Sequence, residues 1–161
     1  MRSWFRDGFY VGLTLALLLG IFLIWLWGAE HQVRRHTENL VKALNDKNWN
    51  RFATFIGGDY QDQWGHDHAS VLERTRLVFR YARTARVVPA FATVQIEGPV
   101  GVWQARIVVE GEGEMAELLK ERVNPLPAPF ELEWRRISAK PWDWKLVRVK
   151  NPSLEIPREL P

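Results

Sequence analysis

The chain contains no cysteine. Disulfides, thiolate metal sites and cysteine nucleophiles are therefore excluded. Charge of one sign is also scarce: 22 Lys and Arg stand against 19 Asp and Glu, a net charge of +3. No long basic run concentrates that excess, so no nucleic-acid partner is expected. No complete set of nucleophile, base and orienting group stands out either, so neither catalysis nor a cofactor or metal is expected. The sharpest absence lies in residues 8–28, which carry no charged side chain at all.

What is present begins with that run, GFYVGLTLALLLGIFLIWLWG. As a helix it would match the roughly 30 Å hydrocarbon core of a bilayer. Trp4, Phe5, Trp25 and Trp27 flank it as an aromatic belt would. A cleaved signal peptide would need a small residue where Trp27 stands. The sequence thus predicts a tail over 1–7, one uncleaved transmembrane helix over 8–28, an α+β domain over 30–150 and an extended proline-rich tail over 151–161. A short tail ahead of one span is the layout of a signal anchor. It places the protein in the inner membrane, single-pass, with its domain on the periplasmic side. Gly8, Gly12, Ala16 and Gly20 recur every four residues and would let a second helix pack closely. The expected partners are the membrane and another transmembrane subunit or a second copy of this chain.

Past the run, Val33, Thr37, Leu40, Val41 and Leu44 share one face of a helix over 30–47, continuous with the anchor. A turn at 45–48 leads to a second helix, Trp49 to Ile56, stopped by Gly57 and Gly58 in the left-handed conformation. Ser70 and Glu73 are spaced as the capping box of a third helix. Arg74, Arg76, Arg80 and Arg83 lie largely off its apolar stripe and read as a solvated face. After Ala85 the period changes to two. Strands follow from Val88 to Ile96, Trp103 to Val109, Pro129 to Ile137 and Trp142 to Val149. An insertion over 111–128 separates the second strand from the third and carries a short helix over 114–122. Glu131 and Glu133 face away from Phe130, Leu132 and Trp134 and read as a surface ladder with Arg135 or Lys145.

Three helices followed by a curved antiparallel sheet resembles the nuclear transport factor 2-like superfamily. The residues that carry the likeness are Leu44-Asn45-Asp46-Lys47-Asn48-Trp49 between the opening helices, the Ser70-capped third helix, and the closing runs Phe130–Trp134 and Trp142–Val147. The resemblance covers residues 30–150. It implies a cone-shaped sheet wrapped around the third helix, with a pocket at its wide end. It also implies that any catalytic group would be an Asp, His or Tyr inside the cone. Tyr60, His66 and Asp67 are the candidates here, with Asp59 and His68 beside them. His66-x-His68 supplies two metal ligands and no third.

Members of that superfamily include membrane-anchored subunits of secretion machines, and this layout looks like theirs. The leading expectation is a non-catalytic, membrane-anchored accessory or assembly subunit that docks to a larger complex. Met115, Leu118, Leu119, Trp142 and Trp144 are its candidate docking residues. The alternative is a small-molecule-binding or isomerase- or dehydratase-like cone, which requires an enclosed pocket with Tyr60, His66 or Asp67 pointing inward.

Overall fold

The structure, a computed structural model, describes residues 12–22 and 28–155. Residues 12–22 are helical, and Leu13, Leu17 and Phe22 on this segment are exposed. Among the described residues no helix is long and apolar enough to cross a membrane. This corrects the expected transmembrane helix over 8–28, and with it the signal anchor, the inner-membrane placement and the orientation. Residues 8–11 and 23–27 of that run, Gly8 of the small-residue stripe, and Trp4, Trp25 and Trp27 lie outside the described residues. Of the rest of the stripe, Ala16 is exposed, and Gly12 and Gly20 have open space where a Cβ would stand.

The α+β domain follows the expected order with shifts of a few residues. Helix α1, Ala29–Asn45, is separate from the preceding helix, because its N-cap Gly28 has an extended ψ of 134°. It buries Val33, Thr37, Leu40 and Ala43 on one stripe, as their spacing of three and four requires. Helix α2 is Trp49–Phe55, and the side chain of its N-cap Asn48 accepts from the Arg51 amide at 3.1 Å. Helix α3 is His68–Tyr81. Its cap is Asp67, whose carboxylate accepts from the Ser70 amide at 2.8 Å. The Ser70–Glu73 capping box therefore does not form. Gly57 and Gly58 are not left-handed. Gly57 is required for a different reason: a Cβ there would come 2.9 Å from Asp59 Oδ1 and 3.2 Å from the Leu146 carbonyl.

The sheet runs in sequence order: β1 Arg86–Glu97, β2 Val100–Glu110, β3 Phe130–Arg136 and β4 Trp144–Lys150, all antiparallel. Two irregularities bend it. Ala90 faces Arg106 while Thr93 faces Gln104, which leaves an extra residue on β1. Glu133 faces Arg148 while Trp134 faces Leu146, which leaves an extra residue on β4. Bulges of this kind sharpen twist and curl a sheet.

The concave face carries Trp103, Ala105, Leu132, Trp134, Trp144 and Leu146, all buried against α1 and α2. Closest approach occurs at Gly101, where a Cβ would lie 2.6 Å from Val33 Cγ2. The opposite face carries the charged ladder. Glu133 meets Lys150 at 3.8 Å, Glu131 accepts from Gln104 at 2.9 Å, and Arg135 pairs with Asp59 at 2.7 Å. The expected partners Arg135 and Lys145 are thus engaged elsewhere, Lys145 with the Thr54 carbonyl.

The insertion forms helix α4, Glu114–Val123. Strand β3 pairs with β2 only from Val100 to Ala105. Beyond that point Asn124 takes over as β2's neighbour: its side chain accepts from Val109 N at 2.7 Å and donates to Val109 O at 3.1 Å. Ala116, Val109, Phe79, Ala82 and Ala85 form a second apolar cluster there.

Candidate ligand-binding site

Residues 56–63 run alongside β4. Ile56 bridges Leu146 in parallel, and the amides of Gly57, Gln61 and Gln63 donate to Leu146, Val147 and Val149. The segment therefore alternates like a strand. Tyr60 and Asp62 turn inward, while Gln61 and Gln63 turn out.

Asp62 organises the turn that follows. Its Oδ1 accepts from the amides of Trp64 at 2.9 Å and His66 at 2.8 Å, and its Oδ2 meets His66 Nδ1 at 2.8 Å. A carboxylate can only accept, so Nδ1 carries a proton, and in the neutral ring Nε2 is left as the acceptor. The Asp62 side chain is 3% exposed, and its charge is stabilised by three donors instead of water.

Tyr60 is 3% exposed, and its hydroxyl has no hydrogen-bond partner among the described residues. Burial, with the nearby Asp62 charge adding to it, pushes the phenol well above its ordinary pKa. It is therefore a neutral donor at any physiological pH.

Tyr60, Asp62 and His66 line a cavity of about 660 Å³ between α3 and the concave face of the sheet. Its other walls are mostly apolar, including Leu40, Phe52, Val78, Trp103 and Ile107, with Glu73, Arg74 and Thr75 of α3 also on the lining. Volume and lining both suit a small-molecule site. The inward residues of α3, Val71, Thr75 and Val78, face this space. The polar end is closed by the start of the C-terminal segment. Trp64 Nε1 donates to the Leu154 carbonyl at 2.9 Å, and Gln63 bonds both ways with the backbone of the fully buried Asn151. The expected extended tail is thus a clasp over 151–155, and residues 156–161 lie outside the described residues.

The remaining candidates go elsewhere. Asp67 is exposed and caps α3; the Ser70 amide hydrogen bond holds its carboxyl below the usual range. His68 Nδ1 donates to the Gly57 carbonyl at 2.9 Å, so the two histidines of His66-x-His68 serve different partners. Asp59 is on the surface with Arg135. Of the five docking candidates, Trp144 is buried with its Nε1 on the Pro141 carbonyl at 2.8 Å, and Leu119 lines the cavity. Met115, Leu118 and Trp142 are exposed. Asp62, which the structure brings to the cavity wall, is not among the candidates read from the sequence. The alternation of Tyr60, Asp62 and Trp64, with His66 four residues past Asp62, was the available signal.

No family model matches the chain, and no curated protein matches it. Solved structures do. A protein from Pseudomonas putida described as NTF2-like and of unknown function aligns at 11% identity over 75% of this chain and 83% of that one, with a TM-score of 0.57. A proposed ketosteroid isomerase from Shewanella frigidimarina aligns at 13% identity over 76% and 95%, also with a TM-score of 0.57. Bdellovibrio bacteriovorus Bd1075 aligns at 9% identity over 73% of this chain and 38% of that one, TM-score 0.57, so this chain spans well under half of that protein. At these identities the likeness concerns the fold alone, a fold that carries enzymes and non-enzymes alike. The chain has the NTF2-like fold.

Proposed function

We propose that this domain binds a small, mostly apolar molecule in the cavity between α3 and the sheet, with the molecule's polar group at Tyr60 and His66. The observation that carries the reading is a Tyr60 hydroxyl with no hydrogen-bond partner among the described residues, on a residue that lines the cavity beside an imidazole held by Asp62. The hydroxyl keeps its donor free for the cavity, and a ligand oxygen at this place would accept from it. Nile red titrated into the full chain should saturate at a single site. Thr75→Trp, which fills the cavity from α3, should abolish that binding. Tyr60→Phe should weaken decanol several-fold more than decane. Non-saturable binding, or binding indifferent to Thr75→Trp, removes the reading.

A second reading is proton transfer of the isomerase type. The Asp62–His66 hydrogen bond favours it, because a carboxylate that fixes Nδ1–H leaves Nε2 poised as a general base. The proposed ketosteroid isomerase of the same fold makes a ketosteroid the natural probe. Turnover should vanish in His66→Ala while Nile red still binds. No turnover by the wild-type chain would sink this second reading and leave the first standing.

A further inference from the structure

The cavity has two unlike ends. Tyr60, Asp62 and His66 sit at the N-terminal end of α3, since His66 immediately precedes its cap Asp67. At the other end the lining is Phe79, Val109, Leu119 and Val123, with no polar side chain among these four. Phe79 and Val109 belong to the second apolar cluster, and Leu119 and Val123 of α4 pack against that cluster. From Val71 to Phe79 the lining advances eight helical residues, about 12 Å. Along β2 it runs from Trp103 to Val109, about 20 Å of strand. A cavity of about 660 Å³ stretched over that distance is a channel, polar at its head and greasy at its foot.

The foot is made by the insertion. Strand β3 leaves β2 after Ala105, and α4 occupies the space beyond. Asn124 locks it there through both polar groups of Val109. The Lys120 ammonium on the Gly111 carbonyl at 3.0 Å and the Arg106 guanidinium on the Asn124 carbonyl at 3.1 Å add to the hold. Leu119 and Val123 therefore face the cavity from a helix with fixed position.

We infer that α4 is the length gauge of this site: Leu119 and Val123 form the floor against which an elongated, single-headed aliphatic ligand stops, its hydroxyl at Tyr60 and His66. The inference rests on the reading of the cavity as a binding site. Such a ligand suits both ends. An alcohol oxygen accepts from Tyr60 and its O–H donates to His66 Nε2, while the chain runs along a mostly apolar wall to Leu119 and Val123.

The test is displacement of Nile red from the full chain by octanol, decanol, dodecanol and tetradecanol. Each methylene taken into the cavity should tighten binding about fourfold, until the chain reaches the floor and affinity levels off. Leu119→Trp raises the floor and should move the plateau to a shorter alcohol, costing the longest bound alcohol about fifteenfold for two excluded methylenes. Leu119→Ala lowers the floor and should move the plateau to a longer one. Leu118→Trp, on the exposed side of the same helix, should change nothing. If Leu119→Trp does not fold, the shift in Leu119→Ala decides. A plateau unmoved by Leu119→Ala and Leu119→Trp overturns the gauge while the binding site stands. Failure of every alcohol to displace the probe from the wild type overturns the binding reading itself.

Discussion

The side chains of Asn45 and Asn124 clamp one cross-strand pair from opposite sides. Asn45, at the end of α1, accepts from Val87 N at 2.8 Å and donates to Val87 O at 2.9 Å. Asn124, just after α4, makes the same two bonds with Val109. Val87 and Val109 face each other across β1 and β2. Their backbone groups point outward from the pair, as in the non-hydrogen-bonded positions of an antiparallel ladder. Each carboxamide acts as one residue of a missing strand.

Removing either one strands a half-buried amide and carbonyl. Asn45→Ala and Asn124→Ala should each cost about 1–3 kcal/mol, measured by urea denaturation. Hydrogen exchange should show where the loss is felt: the Val87 amide in the first variant and the Val109 amide in the second. Asn→Asp at either place keeps the acceptor and loses the donor, and should recover only part of the stability.

Gly101 sets how closely α1 lies on the sheet. Gly101→Ala places a methyl 2.6 Å from Val33 Cγ2 and 3.0 Å from Ile96 Cδ1. Overpacking of a tight core costs about 1–3 kcal/mol, so the melting temperature should fall. Val33→Ala made in the same chain should return part of it, because the clash is with that side chain. A double mutant no better than the sum of the two singles would contradict the account.

His36 is wedged between Phe55 and Trp134, with ring centroids 6.1 Å and 5.9 Å away, and its Nδ1 donates to the Gln32 carbonyl at 2.8 Å. Burial lowers its pKa below the usual 6.5, and the positive charges of Arg35 and Lys145 act in the same direction. The unfolded chain therefore binds this proton more readily than the folded one. Stability from this group is intact above the unfolded value and is lost as pH falls from there through the folded value. Denaturation midpoints should decline as pH falls below about 6.5, and the His36→Phe chain should decline less. Identical slopes would show that another group is responsible.

Phe91 has a φ of 56° and is 89% exposed on the β1 bulge. An aromatic residue in the left-handed region is under strain, and it buries little there in return. Phe91→Gly should raise stability by about 1 kcal/mol, a rise of a few degrees in melting temperature.

The order of elements was legible because it depends on near neighbours. Stripes at three and four residues in 33–44 and alternation after Ala85 state which faces are apolar, and local packing obeys them. The likeness of the opening turn and closing strands to the superfamily correctly supplied the cone. The uncharged run over 8–28 was legible too, but it misled: hydropathy reports only how greasy a segment is. Among the described residues no helix is long and apolar enough to cross a membrane.

The sequence by itself determined the order of helices and strands after residue 28, their apolar faces and the absence of thiol chemistry, since each follows from residue type and spacing along the chain. Only the tertiary structure decided which polar groups share the cavity. Asp62 enters the site because residues 56–63 lie along β4, and Leu119, a docking candidate by its sequence, lines the cavity because Asn124 pins α4 over the end of β2. The physical reason is that a binding site is a meeting of segments far apart in the chain, whose distances arise from packing and not from spacing.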